Sequence, residues 1–220
     1  MTELTDFQQK TKEIYPEISL GFWEPLEKHT SFRIGGPAEV MAFPKNPEQL
    51  GQLLYKSVLL DCKPVILGAG TNVLAPDEGV RGLVICLKDC LDGMELLQEH
   101  RLRVMAGVTM ARAAVFAAKN GLSGLEFAHG IPGTVGGGVY MNAGAYGSDI
   151  SRACVSAEVM DRDGNIRTVS AQELDFSYRH SALEDTGEIV VSATFQMTPE
   201  EPEKIREKMK ELQTKRLASQ

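Results

Sequence analysis

Seven glycines fall between Gly130 and Gly147 in "GIPGTVGGGVYMNAGAYG", a window that contains no Lys or Arg. A glycine admits positive φ and lets a ligand approach the main chain, at about 0.5–1 kcal/mol of conformational entropy per residue. Such a run is either a ligand cradle or a tightly wound turn packed against a strand. If it holds an anion, the grip must come from peptide N–H groups in turns or at a helix start. A second glycine site, "LGAGTNVL" (67–74), follows an apolar stretch and sets the short hydrogen-bonding side chains of Thr71 and Asn72 beside Gly68 and Gly70. It is a poor dinucleotide fingerprint: Val73 stands where the third glycine belongs, and Pro76 and Gly79 oppose an immediate helix. No GxxxxGK[ST] loop occurs.

Other reactive side chains are dispersed. His29, His100, His129 and His180 lack metal-ligand spacing, and Cys62, Cys86, Cys90 and Cys154 form no Cys-x-x-Cys pair. They read as reduced thiols with no metal site. A net charge of −7 argues against a nucleic-acid footprint, which needs a basic stripe. The opening MTELTDFQQK is unlike a signal peptide, and no run of about 18 apolar residues occurs, so the expectation is a cytoplasmic protein without a membrane partner. Oligomeric state is not legible.

The elements that must position these groups follow from pattern. A short helix should end at Tyr15-Pro16. Asn46 as N-cap, Pro47 at the first helical position and Gln49 as a capping-box partner predict a helix with Leu50, Leu53, Leu54 and Val58 on one face. "PVILG" (64–68) and "GLVICL" (82–87) read as strands, giving a strand–helix–strand lobe. "LRVMAG" (102–107) is another strand, and Thr109 starts an Ala-rich helix stopped by Asn120-Gly121. "ACVSAEVMD" and "IRTVS" flank an Asp163-Gly164 hairpin signal, and "EIVVSATFQM" alternates, so three antiparallel strands with one wet face are expected. Thr198 and Glu201 cap a charged last helix striped by Ile205, Met209 and Leu212.

Four stretches, "HTSFRIGGPAEV" (29–40), "LGAGTNVL" (67–74), "GLSGLEFAHGIPGTVGGGVYMNAGAYG" (121–147) and "FSYRHS" (176–181), occur in the order and rough spacing of the UDP-N-acetylenolpyruvoylglucosamine reductases. The chain resembles that family from about residue 20 onward. The resemblance implies an α+β, two-lobed FAD-binding fold of the vanillyl-alcohol-oxidase (PCMH) type, with FAD between the lobes. Its expected parts are an N-terminal helix (1–20), lobe 1 (21–90), lobe 2 (91–198) and a C-terminal helix (199–220) leading to an absent substrate domain.

The resemblance also implies site residues. FAD, held without a covalent bond, would be wrapped by Gly68, Ala69, Gly70, Thr71, Asn72, Val73 and Leu74 and by Gly130, Ile131, Pro132, Gly133, Thr134, Gly136, Gly137, Asn142, Ala143, Gly144, Tyr146 and Gly147. His129 invites a covalent flavin link, as some members of the wider fold make, but the nearer family makes none. NADPH is the implied co-substrate, and hydride passes through FAD to the enolpyruvyl double bond of a UDP-sugar in peptidoglycan synthesis. Arg179 matches the family's arginine near the developing enolate; Tyr178 and Arg33 match positions that border the substrate. The segment that carries the family's proton-donating serine and a late glutamate has no match before "KRLASQ". The expectation is therefore the FAD-binding portion of the enzyme or a non-catalytic flavin-binding relative.

Overall fold

The computed structural model describes residues 3–219. The chain divides into two compact units, the first running to Leu91 and including Arg162–Asn165, the second starting at Asp92.

In the first unit, α1 (Asp6–Ile14) begins at a capping box in which Thr5 and Gln8 exchange side-chain to backbone hydrogen bonds. It leads to β1 (Ser19–Pro25), β2 (Pro37–Phe43), α2 (Pro47–Lys56), β3 (Val65–Leu67) and β4 (Val80–Cys86). The sheet order is β1-β2-β4-β3; β1 runs antiparallel to β2, and the other pairs are parallel. The parallel strands β2 and β3, which flank β4, need a crossover, and α2 supplies it. Residues 38–42 of β2 and 83–86 of β4 are buried without alternation, as strands covered on both faces are.

Asn46 caps α2 by accepting from the Gln49 amide, but the Gln49 side chain accepts from Lys45 N instead of closing a box on Asn46. Leu50, Leu53 and Leu54 enter the core as expected, whereas Val58 is 75% exposed. The α-helix stops at Lys56 and a 3-10 turn over Ser57–Leu60 changes the period, turning Leu60 inward in its place.

The second unit contains β5 (Met94–Leu97), β6 (Arg101–Met105), α3 (Met110–Lys119), β7 (Leu122–Ser123), α4 (Val135–Tyr140), β8 (Gly144–Ala145), β9 (Ser148–Asp149), β10 (Cys154–Met160), β11 (Ile166–Ser170), α5 (Leu183–Thr186), β12 (Ile189–Gln196), β13 (Thr198–Pro199) and α6 (Pro202–Ser219). Its antiparallel sheet has the order β11-β10-β12-β6-β5. The wet face expected for β12 is only partly present. Val190 and Ser192 are buried along with Ile189, Val191, Ala193 and Phe195. The cause is β12's central place, where Arg103 of β6 and Glu158 of β10 pair across Ser192 and bond its hydroxyl, covering it with their stems.

On α6, Ile205 and Met209 are buried while the rest is largely exposed. No helix among the described residues is long and apolar enough to cross a membrane. The four cysteines are free thiols, with Cys86, Cys90 and Cys154 buried. Burial pushes the Cys90 thiol up to about 11 and Cys154 up to about 12, so both stay protonated at neutral pH.

Candidate functional site

In the second unit the glycine-rich run folds onto the corner between β6 and α3. Thr109 and Thr134 form an antiparallel bridge, and Met110 N donates to Gly133 O at 3.0 Å. Val135 N reaches Val108 O at 2.8 Å and Gly136 N reaches Ala106 O at 2.9 Å, which fixes the start of the six-residue helix α4. Thr134 is its N-cap.

The glycines in this run have two different reasons. A Cβ on Gly136 would lie 2.8 Å from Ala106 Cβ, and one on Gly138 would lie 2.8 Å from Met110 Sδ, so these positions are small because α4 packs tightly. Gly137, by contrast, is exposed and would meet only Thr134 Oγ1 at 3.7 Å. Gly147 would meet nothing within 4 Å; with Tyr146 it forms the two-residue turn of the β8–β9 hairpin, both residues having positive φ.

The structure brings the "SYRHS" segment onto this run. Buried Asn142, itself at φ 41°, donates through Nδ2 to Ser177 O at 2.8 Å and accepts Ser151 N at 3.0 Å. Ser181 Oγ donates to Tyr140 O at 2.7 Å. Between these anchors, Ser177 and His180 close a turn whose second central residue is Arg179, at φ 57°. Arg179 Nη2 donates to Gly144 O at 3.1 Å, and its guanidinium carbon sits 6.0 Å from the ring centre of Tyr178. Tyr178 is 91% exposed.

In the first unit, the Thr30–Gly36 turn and the 68–79 loop pack main chain to main chain. Ser31 N donates to Gly70 O at 3.0 Å and Gly36 N to Pro76 O at 2.9 Å. A Cβ on Gly70 would lie 1.9 Å from His29 O, and one on Gly36 would lie 2.2 Å from Asp77 O. The turn places Arg33 at φ 54°, and Arg33 lines an open hollow of about 430 Å³ with Glu27, Lys28 and Thr30. Phe32, Ile34, Val73 and Leu74 remain exposed on these two joined loops.

Within each unit, therefore, expected segments come together: the turn that carries Arg33 packs on the 68–74 loop through Ser31 and Gly70, and the turn that carries Tyr178 and Arg179 packs on Gly130–Gly147. Their chemistry fits a flavin dinucleotide. Exposed apolar side chains on the first unit suit a flat ring system, and Gly137 and Gly147 leave backbone uncovered on the second. His129 Nδ1, just ahead of Gly130, is the buried side-chain nitrogen left without a hydrogen-bond partner among the described residues.

Sequence reasoning passes over three features. Asn142 and Ser181 as staples act across 35 and 41 positions, with only the presence of a small polar residue as a local signal. Glu126, at the start of the run, is buried and accepts from Ser123 Oγ at 2.6 Å and Gly124 N at 3.0 Å, with Lys208 Nζ of α6 at 3.5 Å. Burial alone would raise its pKa, but the Ser123, backbone and Lys208 contributions outweigh it and hold the carboxyl below its usual range. Finally, Arg216 of α6 lies over Gly130, with Cδ 3.4 Å from where a Cβ would stand.

Comparison with known proteins bears on all of this. Residues 38–170 match the family model described as FAD binding domain. The UDP-N-acetylenolpyruvoylglucosamine reductase of Agathobacter rectalis is 41% identical over 225 residues, covering 97% of this chain and 71% of the relative. The corresponding reductase of Lactococcus lactis subsp. cremoris (strain MG1363) is 41% identical over 197 residues, covering 90% of this chain and 65% of the relative. Among solved structures, the UDP-N-acetylenolpyruvylglucosamine reductase from Thermus caldophilus aligns with a TM-score of 0.76 and 31% identity, covering 91% of this chain and 69% of that one. A BBE-like 1 protein of Physcomitrella patens, 14% identical, aligns at a TM-score of 0.66 over 89% of this chain and 45% of that one, which shows the shared fold alone. The chain thus spans about two thirds of the length of these reductases.

Proposed function

The chain belongs to the UDP-N-acetylenolpyruvoylglucosamine reductase family, and on that footing we propose that it binds FAD and carries the flavin-dependent part of the reduction of UDP-N-acetylglucosamine enolpyruvate in peptidoglycan synthesis, with NADPH as electron donor. The observation that carries the reading is the attachment of the Ser177–His180 turn to the glycine-rich run, which sets Arg179 within 3.1 Å of the Gly144 carbonyl. Two segments that the resemblance implies for one site are fastened together by Asn142 and Ser181.

Bound FAD supplies hydride transfer to the enolpyruvyl alkene. Addition there builds negative charge on the adjoining carbon and its carboxylate. A guanidinium has five donors in a fixed fork, so the single bond from Arg179 to Gly144 leaves capacity for that carboxylate. The bond also orients the fork beforehand, which is the condition for electrostatic stabilisation of a transition state. Tyr178, exposed beside it, offers a ring and a hydroxyl to the substrate. In the first unit Arg33 and Lys28 offer positive charge on the rim of the polar hollow, and Val73 and Leu74 offer apolar surface to the cofactor. Four free thiols are in keeping with a reducing, cytoplasmic setting.

The test is reconstitution. The chain purified with added FAD should retain the flavin through gel filtration, and the UDP-enolpyruvyl sugar should perturb the flavin spectrum. A chain that stays colourless would sink the proposal. Retained flavin that ignores the sugar and oxidises no NADPH in its presence would reduce it to a flavin-binding module.

A further inference from the structure

The glycine-rich run contains no basic residue, yet the fold brings Arg179 to its Gly144 end and Arg216 to its Gly130 end. On α6, Ile205, Lys208, Met209 and Arg216 recur at helical spacing and share the face turned toward the Glu126–Gly130 turn. Burial of Ile205 and Met209, with the Lys208–Glu126 pair at 3.5 Å, fixes the helix there. Two turns beyond Lys208, the Arg216 side chain crosses Gly130. Its Cδ would be 3.4 Å and its Nη1 4.0 Å from a Cβ at that position, ordinary packing distances that lay the arginine stem and guanidinium along the Gly130 main chain.

We propose that Arg216 is the counter-charge for a nucleotide diphosphate bound at the Gly130 end of the run. This rests on the FAD reading above and extends it. The planar fork of arginine matches two phosphate oxygens at once. Peptide N–H groups of the run supply partial charges alone, and the chain's net charge of −7 gives no general attraction for anions. Three ligands of the proposed reaction carry such a group, the flavin dinucleotide, the UDP-sugar and NADPH; the first two are the candidates tested, and the diphosphate they share is what Arg216 would recognise.

The full chain separates the sources. Wild type, Arg216→Ala and Arg216→Gln, the last keeping helix propensity and most of the stem, are titrated with FAD, riboflavin and UDP by flavin fluorescence and calorimetry at low and moderate salt. Loss of a charge-assisted pair should weaken one diphosphate ligand about tenfold or more and flatten its salt dependence. Weaker FAD with unchanged riboflavin assigns the arginine to the cofactor. Weaker UDP with unchanged FAD assigns it to the substrate. Equal affinity of wild type and both variants for FAD and UDP overturns the proposal, as does equal weakening of FAD and riboflavin. Failure of wild type itself to bind FAD would instead remove the reading beneath it.

Discussion

Asn142 joins Ser177 to Ser151, donating 2.8 Å to the carbonyl of one and accepting 3.0 Å from the amide of the other. It does so from a left-handed backbone, φ 41°, where asparagine is tolerated better than most residues. Replacing Asn142 with Ala leaves two backbone groups without these partners and adds backbone strain. The expected loss is about 2–4 kcal/mol, read by urea denaturation. Turnover should fall further than flavin affinity, because the turn carrying Arg179 loses an anchor.

Neighbouring glycines should respond in opposite ways. Gly136→Ala forces a Cβ to 2.8 Å from Ala106 and should cost about 1–3 kcal/mol. Gly137→Ala meets only ordinary contact and should leave stability unchanged or raise it by up to about 1 kcal/mol, by relief of helix-glycine entropy. If Gly137 faces the cofactor, the same substitution weakens FAD binding. Thermal melts with and without FAD check both halves.

Gly70→Ala should be worse than either, since the new Cβ would stand 1.9 Å from the His29 carbonyl oxygen at a φ of +64°. A loss above about 3 kcal/mol is expected, concentrated in the first unit. The single tryptophan, Trp23, lies in that unit, so its fluorescence should report an earlier transition while far-UV signal from the second unit persists.

Arg179→Ala removes the charge proposed to face the enolpyruvyl carboxylate. Turnover of the UDP-sugar should fall about 10²–10³-fold with the flavin spectrum intact, and Arg179→Lys should recover only part of it, lacking the fork. An unchanged rate of hydride transfer in stopped flow would reject this role.

Glu126 links acidity to α6. Its folded pKa lies below the usual carboxylate value of 4.5. Its contribution is therefore complete above that value and is lost as pH falls through the folded pKa. Glu126→Gln should be less stable than wild type at pH 7, and the gap should close below pH 4.5, measured by denaturation across that range.

Much of the framework was legible in the chain because it is written locally. N-caps at Asn46 and Thr109, the Gly164 hairpin and the strand runs depend on neighbours a few residues away. Likewise the two glycine runs announced themselves by composition. What could not be read depends on residues far apart in sequence. Nothing near Ser181 indicates Tyr140, and nothing near Arg216 indicates Gly130. The glycines illustrate the limit: sequence flags Gly136 and Gly137 equally, and only packing separates a residue that fills a tight contact from one that leaves backbone open.

Helix α4 has one further consequence. Three of its six residues are glycine, so it has almost no tendency to form alone and depends on the acceptors Ala106 O and Val108 O. Those acceptors sit at the end of a strand whose partner, β12, pairs Leu102 with Phe195, ninety-odd residues downstream. During vectorial synthesis the glycine-rich run therefore leaves the ribosome well before its platform exists. A nascent chain that has emerged only to Tyr140 must carry this segment uncommitted until β12 arrives.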